Sequence, residues 1–130
     1  MMLVRCRLGR SEIEGLGLFA AEPVPAGTEV WRFEARFDLL VRQDELERAP
    51  ASIREFFARF AYEIAGHPGC MALDGDDGRF MNHADRPNLD FSVPGRAVAA
   101  RDIAAGEELT CDYHQLAREP FEMEPPRTGV

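Results

Sequence analysis

The feature that most constrains the fold is the decapeptide at 79–88, which has the sequence RFMNHADRPN. An apolar pair runs directly into Asn82 and His83, and a Pro-Asn turn follows. This setting predicts that the amide and the imidazole are buried, and buried polar groups need hydrogen-bond partners. The pair therefore marks either a buried crossing of the chain or a contact with a ligand.

Most of the remaining chain is predicted to be β-structure, with one or two helices. A length of 130 residues fits one domain that can form a core without staples. Alternating apolar and charged residues and turn-forming pairs between them predict short strands. The predicted strands are 3–8, 28–33 and 70–73, together with 88–93, which is predicted to pair with 96–100.

One amphipathic helix is predicted over residues 51–64. Apolar side chains recur there at helical spacing, and Ser52 with Glu55 forms a capping-box pattern at the start. Its aromatic neighbourhood is expected to belong to the core rather than to a ligand site. The aromatic residues concerned are Phe56, Phe57, Phe60 and Tyr62.

Two segments of the chain resemble each other. Residues 20–30 have the sequence AAEPVPAGTEV, and residues 99–109 have the sequence AARDIAAGEEL. Each predicts a strand, a tight turn through Ala-Gly and a second strand. We expect two similar β corners at opposite ends of the domain.

Charge and cysteine content exclude several classes of protein. The net charge is -8, which argues against nucleic-acid binding and favours a basic partner. The sequence contains arginine but no lysine. Cys6, Cys70 and Cys111 form no C-x-x-C pair, so neither a disulfide framework nor a four-cysteine zinc site is indicated. The acidic stretch 74–78 lacks the ligand spacing of a calcium loop and is expected to be a solvated turn. The unpaired cysteines favour a reducing cytoplasm, and no stretch approaches the ~20 apolar residues of a membrane span.

The glycine segment at 15–20, GLGLFA, satisfies the dinucleotide-binding pattern G-x-G-x-x-A. That pattern needs a helix that begins at the glycines, whereas Pro23 and Pro25 interrupt the next turns and a strand follows. The glycines can instead let the backbone approach a ligand closely, or they can form a plain β-turn.

Three segments together resemble the SET-domain methyltransferases. The decapeptide resembles the asparagine-histidine signature of that family, and residues 106–113, GEELTCDY, resemble its Gly-Glu-Glu-Leu-Thr-(Tyr or Phe)-Asp-Tyr strand. The glycine segment is similar to its N-terminal motif, and the three occur in family order. The resemblance implies a SET-domain, β-clip-like fold over 1–116, with short sheets around a knot-like crossing. Residues 117–130 would then be an acidic, proline-containing tail.

The resemblance implies transfer of methyl groups from S-adenosylmethionine to the ε-amine of a protein lysine. It gives Tyr113 the catalytic role and gives Asn82 a contact with the cofactor ammonium. The backbone of His83 would pair with the adenine, while its side chain is expected to be structural. The residues assigned to the cofactor are Gly15, Leu16, Gly17, Asn82 and His83, with Phe121 as a candidate lid.

The resemblance also suggests residues of a lysine channel, and the chain departs from the family at several positions. Candidate channel residues are Trp31, Tyr62 and Cys111, although core packing is the favoured interpretation of the two aromatic residues. Cys111 stands where the family commonly has Tyr or Phe, and its small size predicts room for multiple methylation. The zinc-binding cysteine segments of the family are missing, so no metal is expected. A degenerate module that binds a basic peptide without turnover is the rival hypothesis.

Overall fold

Short strands in four small sheets form most of the regular secondary structure in a computed structural model that describes residues 1–116. Ten strands, three α-helices and one 3₁₀ helix at Asp77–Phe80 lie within this part of the chain. No helix in it is long and apolar enough to cross a membrane. The strands are β1 (Cys6–Arg10), β2 (Leu16–Ala20), β3 (Glu29–Arg32), β4 (Leu39–Arg42), β5 (Tyr62–Glu63), β6 (Cys70–Leu73), β7 (Asn82–His83), β8 (Leu89–Asp90), β9 (Arg96–Ala99) and β10 (Thr110–Cys111). The α-helices are α1 (Gln43–Glu47), α2 (Ala51–Phe60) and α3 (Tyr113–Leu116).

The sheets bring distant segments of the chain together. Antiparallel pairing gives a β1-β2 hairpin and two three-stranded sheets, in the orders β3-β9-β8 and β4-β6-β5. The fourth sheet is parallel: β7 lies beside β10, with Asn82 opposite Thr110 and His83 opposite Cys111. The predicted mainly β fold is confirmed, and the polar pair of the decapeptide lies where two remote segments meet. Both residues are only partly buried, so the prediction that their side chains are buried is wrong.

The two similar corners pair with each other, so the prediction that they lie at opposite ends of the domain is wrong. Val24 and Ile103 exchange both backbone hydrogen bonds at 2.8 Å. Two flanking hydrogen bonds are also equivalent in the two corners. Gly106 N donates to the Ala20 carbonyl, and Gly27 N donates to the Ala99 carbonyl, both at 2.8 Å. Both glycines have the positive φ that their turns require. The repeated sequence thus forms an approximately two-fold clasp.

Helix α2 ends at Phe60 rather than at residue 64. Tyr62 leaves the helical path because it pairs with Ala72 of β6, and its hydroxyl donates to Asp74 at 2.8 Å. The predicted capping box is also absent: the helix begins after Pro50, and no side chain caps it. The sheet contacts at the C-terminal end override the helical periodicity of the sequence.

The aromatic face of α2 is not part of the core, which corrects the sequence-based expectation. No residue of the helix is buried, and Ile53 and Phe56 keep 44% and 39% of their surface exposed. The core lies instead between the sheets and around the crossing. Its members are Leu18, Ala20, Val24, Val30, Trp31, Met81, Leu89, Phe91, Ala97, Ala99, Ile103, Leu109 and Cys111.

Asp74 is buried, so the acidic stretch 74–78 is not a fully solvated turn. Its two carboxylate oxygens accept separate hydrogen bonds, from Tyr62 Oη at 2.8 Å and from Trp31 Nε1 at 3.2 Å. Burial raises the pKa of the Asp74 carboxyl, while the Met1 ammonium and the Tyr62 hydroxyl oppose that shift. The carboxyl therefore links strands β3, β5 and β6, and its burial disfavours the ionised form.

The Asp74→Asn variant is expected to gain stability relative to the native chain as the pH rises. A raised folded-state pKa means that the neutral carboxyl contributes stability fully below its unfolded pKa, and this contribution is lost as the pH rises through the folded pKa. Asparagine stays neutral, still accepts from Trp31, and can donate to the Tyr62 oxygen. Urea unfolding of both proteins between about pH 4 and about pH 7 measures the difference. Parallel stability curves would contradict the raised pKa.

Candidate active site

Asn88 fastens the crossing that positions the site. It is fully buried, and its side chain forms hydrogen bonds with the backbone at the start of β10, as a neighbouring strand would. Asn88 Nδ2 donates to the Glu108 carbonyl at 2.8 Å, and Oδ1 accepts from Thr110 N at 2.9 Å. These bonds hold β10, and therefore the residues that follow it, beside the decapeptide.

Tyr113 lies two residues after the end of β10 and begins helix α3. Its hydroxyl donates to the carbonyl oxygen of Met81 at 2.7 Å. Burial is the main cause that raises the pKa of the Tyr113 phenol well above its usual range, so the phenol stays neutral. Because the hydroxyl hydrogen is directed to Met81, the oxygen lone pairs are left as acceptors.

His83 positions Tyr113 through its ring. Its Nδ1 accepts a hydrogen bond from Tyr113 N at 3.1 Å, and the two rings lie 5.3 Å apart between centroids. The neutral ring must then carry its proton on Nε2, which lies 3.5 Å from Asp85 Oδ1. This geometry gives the His83 side chain a structural contact, as the sequence-based interpretation expects.

Asn82 turns its amide nitrogen toward the glycine segment. Nδ2 lies within hydrogen-bond distance of the carbonyl oxygens of Glu14 and Leu16, at 3.2 and 3.1 Å. Ser11 Oγ and Glu108 Oε2 are also close, at 3.1 and 3.0 Å. All four neighbours can accept, so Oδ1 faces the opposite direction and can accept from a ligand ammonium.

The glycine segment forms the turn and second strand of the β1-β2 hairpin. Gly15 has φ of +44°, and Ser11 N donates to its carbonyl oxygen at 2.9 Å. Gly15 and Leu16 are exposed, whereas Gly17 is buried beside Glu108. Gly15 and Leu16 lie exposed next to the Asn82 amide. Their carbonyl oxygens accept from Ser11 N and Asn82 Nδ2, so a ligand bound here by main-chain atoms would use the second lone pair of these oxygens.

The channel candidates have different environments. Trp31 and Cys111 keep only 2% and 1% of their surface exposed and belong to the core, which favours core packing for Trp31. The Cys111 thiol lies 3.9 Å from the Asn82 carbonyl oxygen, and burial raises its pKa well above the usual range. Tyr62 is half-buried, with its hydroxyl on Asp74. Phe121 lies outside the described residues.

Sequence reasoning did not single out Ser11 and Glu108. Both contact Asn82, and they contact each other at 2.6 Å although 97 positions separate them. Glu108 lies inside the GEELTCDY segment, but nothing in that segment distinguishes its side chain from its neighbour Glu107. The polar amide of Asn82, which follows an apolar pair and needs acceptors, is the sequence signal that points to such partners.

Three potential metal ligands lie beside Tyr113. One ligand atom each from His83, Asp112 and His114 falls within 4.8 Å of the others. However, the single lone pair of His83 Nδ1 is already used by the backbone N–H of Tyr113. A metal at this nitrogen would have to break the contact that positions Tyr113, so this cluster is better explained as a hydrogen-bond network.

Comparison with known families identifies the family in which Tyr113, Asn82 and the glycine segment are brought together in this way. The family model described as "SET domain" matches residues 15–114. The chain belongs to the SET-domain family. The match includes all three segments that carry the sequence resemblance, and the predicted fold is confirmed with it.

SET-domain relatives with curated names are lysine methyltransferases. The probable histone-lysine N-methyltransferase set-23 of Caenorhabditis elegans is 30% identical, and the match covers 82% of this chain and 48% of that protein. The histone-lysine N-methyltransferase ash1 of Drosophila melanogaster is also 30% identical, over 90% of this chain and 6% of the fly protein. The chain thus spans about half the length of the first relative and a small part of the second.

Solved SET-domain structures have the same fold. One is Polycomb Repressive Complex 2 of Chaetomium thermophilum in an autoinhibited conformation bound to S-adenosylmethionine, with a TM-score of 0.65 and 25% identity. The match covers 89% of this chain and 16% of that one. A Plasmodium falciparum putative histone methyltransferase has a TM-score of 0.58 over 86% of this chain and 95% of its own. At 19% identity, this second likeness concerns the fold alone.

Proposed function

We propose that this SET domain transfers methyl groups from S-adenosylmethionine to the ε-amine of a protein lysine. The observation that carries the proposal is the convergence of Tyr113, Asn82 and the glycine segment at one crossing. The named activities of the relatives and the bound S-adenosylmethionine in a related structure support the same conclusion.

The residues present fit this cofactor. The exposed backbone at Gly15 and Leu16 can hydrogen-bond its amino-acid end, and Asn82 Oδ1 can accept from its ammonium. The backbone of His83, which lies in β7 next to Asn82, is proposed to contact the adenine. When bound, the cofactor supplies an electrophilic methyl on a positively charged sulfur. The net charge of -8 attracts a lysine-rich substrate over long range.

Tyr113 is proposed to orient the lysine amine. An amine with a pKa of ~10.4 is rarely neutral at pH 7, and the neutral form costs ~4.6 kcal/mol in water. Burial in a narrow channel beside a positive charge lowers that cost. The Tyr113 oxygen, whose own hydrogen is directed to Met81, can accept an N–H of the amine and direct the nitrogen lone pair at the methyl. A neutral phenol does this without adding charge.

A labelling experiment tests the proposal. The protein is incubated with radiolabelled S-adenosylmethionine and a lysate of its own host, beside Tyr113→Phe. Label on lysine of a host protein with the native chain only would support the function. The chain contains no lysine, so label on its own band cannot arise from lysine automethylation. Equal labelling by both proteins would remove Tyr113 from its proposed role.

A binding module without turnover is the second candidate. It is favoured by Ala84 and Asp85, which stand where the family usually has Ser and Cys, and by the small Cys111. Calorimetry with S-adenosylmethionine separates the two candidates, because a module that only binds peptides would take up no cofactor. Cofactor uptake would contradict this alternative.

Multiple methylation is the proposed product pattern. Cys111 is buried and stands where the family commonly has a bulkier aromatic residue, so its small side chain is proposed to leave room for a methylated amine beside Tyr113. We expect dimethyl or trimethyl lysine to accumulate with time on the labelled host protein. Mass spectrometry that finds only monomethyl lysine at complete turnover would contradict this prediction.

A further inference from the structure

A single carboxylate joins the segments that form the proposed cofactor site. Ser11 Oγ donates to Glu108 Oε1 at 2.6 Å, and Asn82 Nδ2 donates to Glu108 Oε2 at 3.0 Å. A Cβ atom added at Gly17 would lie 2.8 Å from the same carboxylate group. The missing side chain at Gly17 therefore leaves the space in which the Glu108 carboxylate lies.

This carboxylate, together with two carbonyl oxygens, determines which way the Asn82 amide faces. Carbonyl and carboxylate oxygens can only accept, so reversal of the amide would place Oδ1 against oxygens of Glu108, Glu14 and Leu16. Two amide hydrogens serve four neighbouring acceptors, and the charged acceptor forms the strongest bond. Glu108 thus directs Oδ1 toward the side on which the cofactor ammonium is proposed to bind.

Glu108 also brings negative charge into the site. Its carboxylate lies 3.0 Å from the amide nitrogen of Asn82, so its charge lies beside the proposed cofactor site. A sulfonium methyl donor carries a positive charge that its thioether product lacks. A fixed carboxylate at this place stabilises the donor more than the product.

We propose that Glu108 is a positioning and selectivity residue of the cofactor site. It orients Asn82 toward the cofactor, and its charge favours S-adenosylmethionine over S-adenosylhomocysteine. This inference rests on the proposed function, because it concerns the same site.

Binding calorimetry with both ligands tests the inference. In Glu108→Gln, which keeps the size and removes the charge, the affinity for S-adenosylmethionine should fall about tenfold and that for S-adenosylhomocysteine about threefold or less. In Ser11→Ala the charge remains but one of its bonds is lost, so both affinities should fall by a similar factor of about three. Glu107→Gln is the matched control. Glu107 pairs with Arg101 at the exposed surface, and its removal should change either affinity by less than about twofold.

The outcomes separate the inference from the function on which it rests. If the native chain binds neither ligand, the proposed function itself is contradicted. If the native chain binds both and Glu108→Gln weakens them equally, the selectivity role is wrong. If Ser11→Ala leaves both affinities unchanged, positioning through this network is wrong. Thermal unfolding of each variant without ligand verifies that the fold is retained.

Discussion

The Tyr113→Phe variant is expected to transfer methyl groups at least about a hundredfold more slowly than the native chain, with little change in cofactor affinity. The substitution removes the oxygen that would accept from the lysine amine and keeps the ring that packs beside His83. The loss should appear in kcat, measured with a fixed basic peptide substrate found by labelling. Calorimetric affinity for S-adenosylmethionine should stay within about threefold of the native value.

Tyr62→Phe is the matched comparison for this prediction. It also loses one hydroxyl hydrogen bond, but to Asp74 rather than at the proposed reaction centre. Each variant should lose about 1 kcal/mol of unfolding free energy, whereas only Tyr113→Phe should lose most of its transfer rate. Equal losses of rate in the two variants would contradict the assignment of the reaction to Tyr113.

The Asn88→Ala variant is expected to lose about 3 kcal/mol of unfolding free energy, the largest effect on stability that we predict. The truncation leaves the Glu108 carbonyl and the Thr110 amide without the partners that Asn88 provides, and it opens a cavity beside β10. Urea unfolding followed by circular dichroism measures the loss. An unchanged slope of the unfolding free energy against urea concentration would show that the variant unfolds in the same transition as the native chain.

Ser92→Ala provides the control for Asn88→Ala. Ser92 lies on the surface near β8, and its hydroxyl donates to Asp90, so its removal should change stability by less than about 0.5 kcal/mol. A loss below about 1 kcal/mol in Asn88→Ala would mean that neighbouring residues or water replace its bonds, and the crossing would then not depend on this side chain.

The parts of the fold that sequence predicts well are those with a short, local cause. The strand at Cys70–Leu73 and the pairing of β8 with β9 follow from apolar runs and the intervening Pro-Gly turn. The family motifs locate Gly15, Asn82 and Tyr113, because each motif is a few residues long. These residues are far apart along the chain, and only the crossing brings them together.

The parts that sequence misses depend on contacts between remote residues. The end of α2 at Phe60 is set by the pairing of Tyr62 with β6, which local helical periodicity cannot show. The burial of Asp74 depends on Trp31, from a different strand, and an acidic turn gives no local sign of it. The same reason explains why the contact between Ser11 and Glu108 was not predicted.

The clasp between the two repeated corners has a consequence for how the chain folds during synthesis. Its halves, at Val24 and Ile103, lie roughly 80 residues apart, and such long-range contacts form slowly because the intervening chain must first be ordered. On the ribosome the N-terminal corner stays without its partner until nearly the whole domain has emerged. Folding of this domain can therefore be completed only after the second corner has emerged, and until then the apolar surface of the first corner lacks the partner that covers it.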